Sequence, residues 1–211
     1  IDANSGVLTF VSAPDFESPT DAGGNNVYDV VVQTSDGLHV DTQSLAVTVT
    51  NVNDNAPVIT GGDTASYNVA ENTTAVTTVV ANDADGDTVT WSISGGADAA
   101  KFQIDATTGA LSFVGAPNFE NPQDVGGNNV YDVIVQASDG LHTDTQAIAV
   151  TVTDVNAAPV ITSNGGGATA SVNVPENSTA VTTVVASDDG ENSGTLTYSI
   201  VGGADAAKFQ I

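Results

Sequence analysis

The side chains able to do chemistry in this chain are carboxylates, and they are clustered. Asp83-Ala84-Asp85-Gly86-Asp87 places acids at alternate positions of one short stretch, and Ser138-Asp139-Gly140 adds another after a strand-like run. Pro14-Asp15-Phe16-Glu17 returns as Pro117-Asn118-Phe119-Glu120. Asn51-Val52-Asn53-Asp54-Asn55-Ala56-Pro57 and Asp154-Val155-Asn156-Ala157-Ala158-Pro159 are polar stretches that end in proline. Carboxylate, amide and carbonyl oxygens are what Ca²⁺ takes, about six to eight at a time. Any single Asp-Gly stretch is a common turn; several together at the ends of strands are a candidate ligand set. The stretch from Asp83 is not an EF-hand, because Thr88 stands where that loop needs glycine and Ser94 where it needs a bidentate glutamate.

Other chemistries find little support. The sequence has no cysteine, so thiolate nucleophiles, thiolate metal sites and disulfides are excluded. His39 and His142 are the two histidines and occupy one repeat position, which points to a hairpin loop between two strands and away from a converging catalytic or zinc site. No Gly-x-Ser-x-Gly, phosphate loop or His-Glu-x-x-His occurs. Asp15 with Glu17 has the look of a glycosidase pair, but its duplication in the next repeat fits structure better than a unique active site. No enzyme activity is expected. Twenty-six acidic residues against Lys101 and Lys208 give a net charge of −24, which leaves almost nothing to neutralise phosphate. Nucleic acid and anionic membrane are poor partners for such a chain, whereas divalent cations are its natural counter-charge. No apolar run reaches the roughly 20 residues of a membrane helix, and no leader-like segment opens the chain.

The elements that must position these acids repeat at domain length. Ile1-Asp2-Ala3 recurs at Ile104, and Asn26-Val27-Tyr28-Asp29-Val30 recurs at Asn129, both 103 positions on (1 to 104, 26 to 129). Gly95-Gly96-Ala97-Asp98-Ala99-Ala100-Lys101-Phe102-Gln103-Ile104 returns from Gly202 to Ile211, 107 positions on. A period near one hundred means whole-domain repeats. The expected division is the back half of one repeat in residues 1–55, a complete repeat in 56–158, and the front half of a third in 159–211. Hydrophobic residues make up 40% of the chain in alternating runs, which argues against disorder. Strands are expected over residues 66–69, 76–81, 88–93, 110–114, 130–137 and 147–155, rich in Val, Thr, Ile and Tyr. Ile148, Val150 and Val152 should face a core, with Ala149, Thr151 and Thr153 on the other side. Trp91 reads as a core aromatic and Ala97 to Phe102 as a single helical turn. The fold class is all-β, with tandem immunoglobulin-like sandwiches of about seven strands each.

Taken together, Ala70-Glu71-Asn72, Pro175-Glu176-Asn177, the Asp-Phe-Glu motif, the run Tyr131 to Gly140 and the Asn51 to Pro57 linker resemble cadherin repeats. They are especially similar to the cadherin-like modules of large bacterial surface adhesins, and the resemblance covers essentially the whole chain in order. In that family an upstream repeat, its linker and the next repeat's loops share Ca²⁺. The resemblance implies a first junction using Asp15 and Glu17 upstream, Asn51, Asn53, Asp54 and Asn55 in the linker, and Asp83, Asp85 and Asp139 downstream. Asn51 stands where the family prefers Asp. The second junction would draw on Glu71, Glu120, Asp154, Asn156 and Asp188, but its pattern decays. Asn118 replaces Asp, the equivalents of Asp54 and Asn55 have become alanine with one residue deleted, and Gly190 replaces the second acid of the downstream pair, with Asp189 and Glu191 as compensating candidates. Fewer ions, or weaker binding, and a more flexible joint are expected there.

Electrostatics argues that cations matter. Two carboxylates 4 Å apart repel by about 1 kcal/mol in water and about 4 kcal/mol at an effective dielectric of 20. The reading is a calcium-stiffened rod or adhesin at an extracellular cell surface, of bacterial type by resemblance. Its partners would be like repeats, or extracellular polysaccharide taken through calcium and loops such as Gly126-Gly127-Asn128-Asn129. Asn72-Thr73-Thr74 and Asn177-Ser178-Thr179 match glycosylation sequons but also belong to the repeat motif. Residues 1–55 and 160–211 are complementary halves, which either belong to a longer chain or join between molecules into a head-to-tail fibre.

Overall fold

The computed structural model describes residues 1–188 and 196–211. Alternating β-branched runs form hairpins wherever a short polar turn separates them. β1 (Val27–Ser35) and β2 (Val40–Thr48) pair antiparallel around the turn holding His39. There follow β3 (Val58–Ile59), β4 (Thr64–Ala70), β5 (Ala75–Thr78), β6 (Ala81–Asn82), β7 (Thr90–Gly95), β8 (Phe102–Ile104), β9 (Ala110–Phe113), β10 (Val130–Ser138) and β11 (Thr143–Thr153). One sheet has the order β4-β11-β10-β7, its β11–β4 pair parallel and the others antiparallel. The facing sheet is β5-β9-β8, all antiparallel, and β3 pairs with β6 as a short flap. Further on, β12 (Val160–Ile161) pairs with β13 (Ala186–Ser187).

Side chains from both sheets fill the space between them. Val133, Val135, Ile148, Val150 and Val152 point inward from the long hairpin, opposite Phe102, Leu111 and Phe113 of the smaller sheet. Phe102 stacks on Phe113 with ring centroids 4.5 Å apart, and Tyr131 meets Phe113 edge-on at 5.1 Å. Ile148, Val150 and Val152 are buried as the alternation requires, and Trp91, 7% exposed, is a core residue. The single helical turn is present as a 3₁₀ turn, Ala99–Lys101. The strand expected over residues 76–81 is divided: β5 pairs with β9, then the chain crosses to pair β6 with β3. Val58–Ile59 and Phe102–Ile104 were not expected as strands, since two or three residues are too few for a period-2 pattern to show.

Glycine fixes the closest approach. At Gly96, φ +106°, a Cβ would lie 2.4 Å from the Cα of Val133, so only glycine lets the β7 end lie against β10.

The hairpin β1–β2 reproduces β10–β11 in register: Tyr28 opposes Val47 as Tyr131 opposes Val150. Likewise β12–β13 reproduces β3–β6, and a 3₁₀ turn at Ala206–Lys208 reproduces that at Ala99–Lys101. Among the described residues, no helix is long and apolar enough to cross a membrane.

Candidate metal centre

The first polar linker is held against the loop that follows β6, and the hub is Asp85. Its Oδ2 accepts the N–H groups of Asp54 at 3.1 Å and Asn55 at 2.8 Å, and its Oδ1 accepts the Asn55 side-chain amide at 3.0 Å. Asn51 donates its side-chain amide to the Asp85 carbonyl at 2.8 Å, and Asn55 donates to Asp54 Oδ1 at 2.9 Å. Proline 57, buried, ends the stretch where β3 begins.

Onto this hub the preceding segment brings a third acid. Carboxylate oxygens of Glu17, Asp54 and Asp85 all lie within 4.8 Å of one another, one each from before β1, from the linker and from after β6. A second group, Asp83, Asp85 and Asp87, shares Asp85. The electrostatic consequence is visible in the protonation equilibria. Partial desolvation, and then the negative charges of Asp85 and Asp54, hold Glu17 above the usual glutamate range. Asp85 is held below the usual aspartate range, chiefly by the Asn55 N–H that it accepts.

Asp139 closes the same end of the sandwich. Its side chain is fully buried, and Oδ1 accepts the N–H groups of Leu141 at 2.7 Å and His142 at 2.6 Å. Burial alone would raise its pKa; the His142 and Leu141 N–H groups outweigh this and lower it. His142 Nδ1 lies 3.0 Å from Asn53 Oδ1, so the hairpin tip touches the linker. Asp83 Oδ2 is buried with no hydrogen-bond partner, and Asp139 Oδ2, also buried, has only the His142 ring nitrogen near it, at 3.4 Å. Buried carboxylate oxygens without a donor are costly unless a cation supplies the missing charge. The donor set is all oxygen and all hard, which is the set that fits Ca²⁺ and suits thiolate- or imidazole-seeking metals poorly.

A second group forms at the other end of the sandwich from Glu71, Glu120 and Asp154, again within 4.8 Å. Glu71, after β4, is buried; Oε2 accepts the Phe119 N–H at 3.1 Å and Oε1 the Val155 N–H at 3.2 Å. One side chain thereby ties the end of β4, the Asn118–Glu120 loop and the stretch after β11. Asn156 donates its amide to the Ala157 carbonyl at 2.9 Å. Asp188 Oδ1 is buried without a hydrogen-bond partner among the described residues. The compensating candidates Asp189 and Glu191, like Gly190, lie outside the described residues.

Not every expected ligand joins a cluster. Asp15 Oδ1 accepts the N–H groups of Glu17 and Ser18, both at 3.0 Å, forming a local turn that presents Glu17. It belongs to none of the acidic groups whose oxygens come within 4.8 Å. Two residues reach the site without having been singled out as ligands, Asp87 and His142. Alternation of acids from Asp83 to Asp87 carries the signal for the first; for His142, only the shared hairpin position with His39 hints at it. The Gly126–Asn129 loop is exposed over residues 126–128, with its backbone tied down from within. Asp124 accepts the N–H groups of Asn128 and Asn129, and Asn129 donates to the Phe119 carbonyl. Nothing in that arrangement favours a saccharide.

No family model matches the chain. It is 37% identical over 167 residues to the human cadherin EGF LAG seven-pass G-type receptor 2, an alignment covering 74% of this chain and 5% of that protein. With protein dachsous of Drosophila melanogaster it shares 35% identity over 116 residues, 53% of this chain and 3% of that protein. The chain thus spans 3% and 5% of these relatives' lengths. Among solved structures, repeats EC21–23 of human CDH23 superpose with a TM-score of 0.53 at 18% identity, covering 82% of this chain and 57% of that one. The cis-dimer structure of protocadherin gammaB7 EC3–6 gives 0.51 at 25% identity, covering 82% and 44%. Repeats of this kind are extracellular, non-enzymatic adhesion modules with immunoglobulin-like sandwich folds. In sequence and in fold alike, the chain is built on the cadherin-like repeat.

Proposed function

We propose that this is a calcium-stiffened segment of an extracellular surface protein, in which acidic residues at the repeat junctions bind Ca²⁺ and make a string of sandwiches into a rod. The division into residues 1–55, 56–158 and 159–211 belongs to this reading, supported by the matched hairpins β1–β2 and β10–β11. The observation that carries it is the meeting of Glu17, Asp54 and Asp85, from three separate stretches of chain, within 4.8 Å. Glu17, Asp54, Asp83, Asp85 and Asp139 supply the charge at the first junction. Asn51 and Asn55 hold the linker against Asp85, Asn53 meets His142 beside Asp139, and Asp15 shapes the turn that delivers Glu17. When bound there, Ca²⁺ supplies the positive charge that turns mutual repulsion of these groups into attraction. Glu71, Glu120, Asp154, Asn156 and Asp188 are the corresponding set at the second junction, which we assign fewer or weaker ions because Ala157 and Ala158 stand where the first linker has acid and amide. The partner class is another cadherin-like repeat, and the setting a cell surface, of bacterial adhesin type by its motifs.

Isothermal titration of EGTA-stripped protein with CaCl₂ tests the assignment. Binding at two unequal classes of site is expected, with the tighter class lost in Asp85→Ala. No heat beyond dilution, or a titration unchanged by Asp85→Ala, would overturn it.

A further inference from the structure

Lys101 and Lys208, the two basic residues in a chain with 26 acids, hold one repeat position, 107 residues apart. In the central sandwich that position opens onto a groove of about 340 Å³. This is at the lower end of the about 300–1,000 Å³ that small-ligand sites occupy. Phe113, Pro117 and Tyr131, all buried, form its base, and Val114, 62% exposed, forms its open wall. The Val114 N–H donates to the Lys101 carbonyl at 2.8 Å, which fixes the 3₁₀ turn beside that wall. Lys101, Asn118, Asn121 and Gln123 make the rim, and no aspartate or glutamate lines the groove.

Local hydrogen bonds leave this rim with unused donors. Asn118 Oδ1 accepts the Asn121 N–H at 2.6 Å, and Asn121 Oδ1 accepts the Gln123 side-chain amide at 3.3 Å. Both asparagine oxygens are engaged, while their NH₂ groups donate to no partner among the described residues. Lys101 forms no ion pair among those residues either; the pairs found there are His39–Asp36 and His142–Asp139. An ammonium and two amide NH₂ groups at the mouth of an apolar groove are matched to an anion. In the preceding repeat Asp15, Ser18 and Thr20 stand at the positions of Asn118, Asn121 and Gln123. The exchange of Asp for Asn that thins the acidic pattern at the second junction also keeps a carboxylate off this rim.

We propose that this groove binds a small carboxylic acid with one negative charge and an apolar body. Lys101, Asn118 and Asn121 take the carboxylate, and the apolar part lies against Val114 over Phe113 and Tyr131. One charge is the limit, because a net charge of −24 repels polyanions. Glu120, between Asn118 and Asn121 in sequence, also belongs to the acidic group with Glu71 and Asp154, which a second ligand charge would meet. Another copy of the chain brings the same −24 and is the poorer occupant. The site lies wholly in the central sandwich and does not rest on calcium.

Amide NMR of the ¹⁵N-labelled 211-residue chain in EGTA, at low salt and neutral pH, tests this with 3-phenylpropionate as probe. Saturable shifts are expected at the Lys101 backbone amide and the Asn118 and Asn121 side-chain amides. The neutral 3-phenylpropionamide, with the same apolar body, should bind more weakly there, and 3-phenylpropylammonium should not bind there. Lys101→Gln should raise the Kd about threefold, the worth of one exposed ion pair. Asn118→Asp keeps the oxygen that accepts the Asn121 N–H, so the fold is retained, and sets a negative charge against the ligand. It should raise the Kd about tenfold. No saturable shift at these amides, equal affinity for the neutral amide, or a Kd unchanged in both variants would overturn the proposal. So would probe shifts confined to other parts of the chain. Shifts at these amides that follow protein concentration and not the probe would assign the groove to a second copy and remove the carboxylate reading.

Discussion

Replacing Glu71 by alanine separates a structural role from metal binding at one residue. Glu71 is 4% exposed and accepts two backbone N–H groups, from Phe119 at 3.1 Å and Val155 at 3.2 Å. Truncation strands both donors. Val155 is 48% exposed, so water replaces its acceptor at little cost, and the loss falls mainly on Phe119, which is half-buried. A buried donor left without a partner costs about 1–3 kcal/mol; because Glu120 and Asp154 are exposed, salt at about 0.5 M screens the repulsion that losing Glu71 would relieve, so about 2 kcal/mol is expected in EGTA at that salt. For a unit of about 100 residues that lowers Tm by about 8–16 °C. Trp91 is the one tryptophan and lies in the central core, so its fluorescence follows this sandwich alone. Glu71→Gln can keep its one acceptor oxygen on the Phe119 N–H, where most of the loss falls, and should lose far less. A Glu71→Ala protein melting within about 2 °C of wild type in EGTA would refute the reasoning that Glu71 pins these segments together without metal.

Asp124 predicts an acid-dependent effect away from the junctions. Burial would raise its pKa, but the N–H groups of Asn128 and Asn129 outweigh this and hold it below the usual aspartate range. Because the folded value is depressed, its contribution is fully present above about pH 4 and disappears as pH falls through the folded value. Asp124→Asn should therefore lower stability at pH 7 and differ progressively less from wild type below pH 4, as urea titrations at each pH will read. Trp91→Ala should cost about 3–5 kcal/mol in urea unfolding followed by far-UV circular dichroism, as for other buried large-to-small changes. Gly96→Ala should yield little folded protein by the same measure, because its Cβ would meet the Val133 backbone at 2.4 Å.

Fold and site were legible to different depths. The long hairpin could be read directly because β10 and β11 alternate over 9 and 11 residues, long enough for Ile148, Val150 and Val152 to mark one face. The short strands β3 and β8 could not, since their pairing is imposed by tertiary neighbours: β3 by β6, and β8 by the Phe102–Phe113 stack. Domain-length repetition told which residues were equivalent but not which oxygens meet. That Asp85 would be the hub depends on the linker N–H groups of Asp54 and Asn55 pointing at it, a backbone property that motif spacing does not encode. Asp15 looked as good a ligand as Glu17 on paper. Its oxygen is taken by the turn that it caps, which is a common fate of Asp two residues before a free N–H. His142 was hidden for the opposite reason, because its contact with Asn53 joins residues 89 positions apart.

The stiffness of the first junction is the quantity on which the account stands. The chain has no cysteine, so Thr42→Cys and Thr145→Cys, both exposed, accept a pair of spin labels on the two sides of that linker. Pulsed electron–electron distance measurements should give a broad distribution in EGTA that narrows to one sharp population on adding CaCl₂, and stays broad when Asp54 and Asp85 are both alanine. Equal widths with and without calcium in the wild-type chain would contradict the central claim.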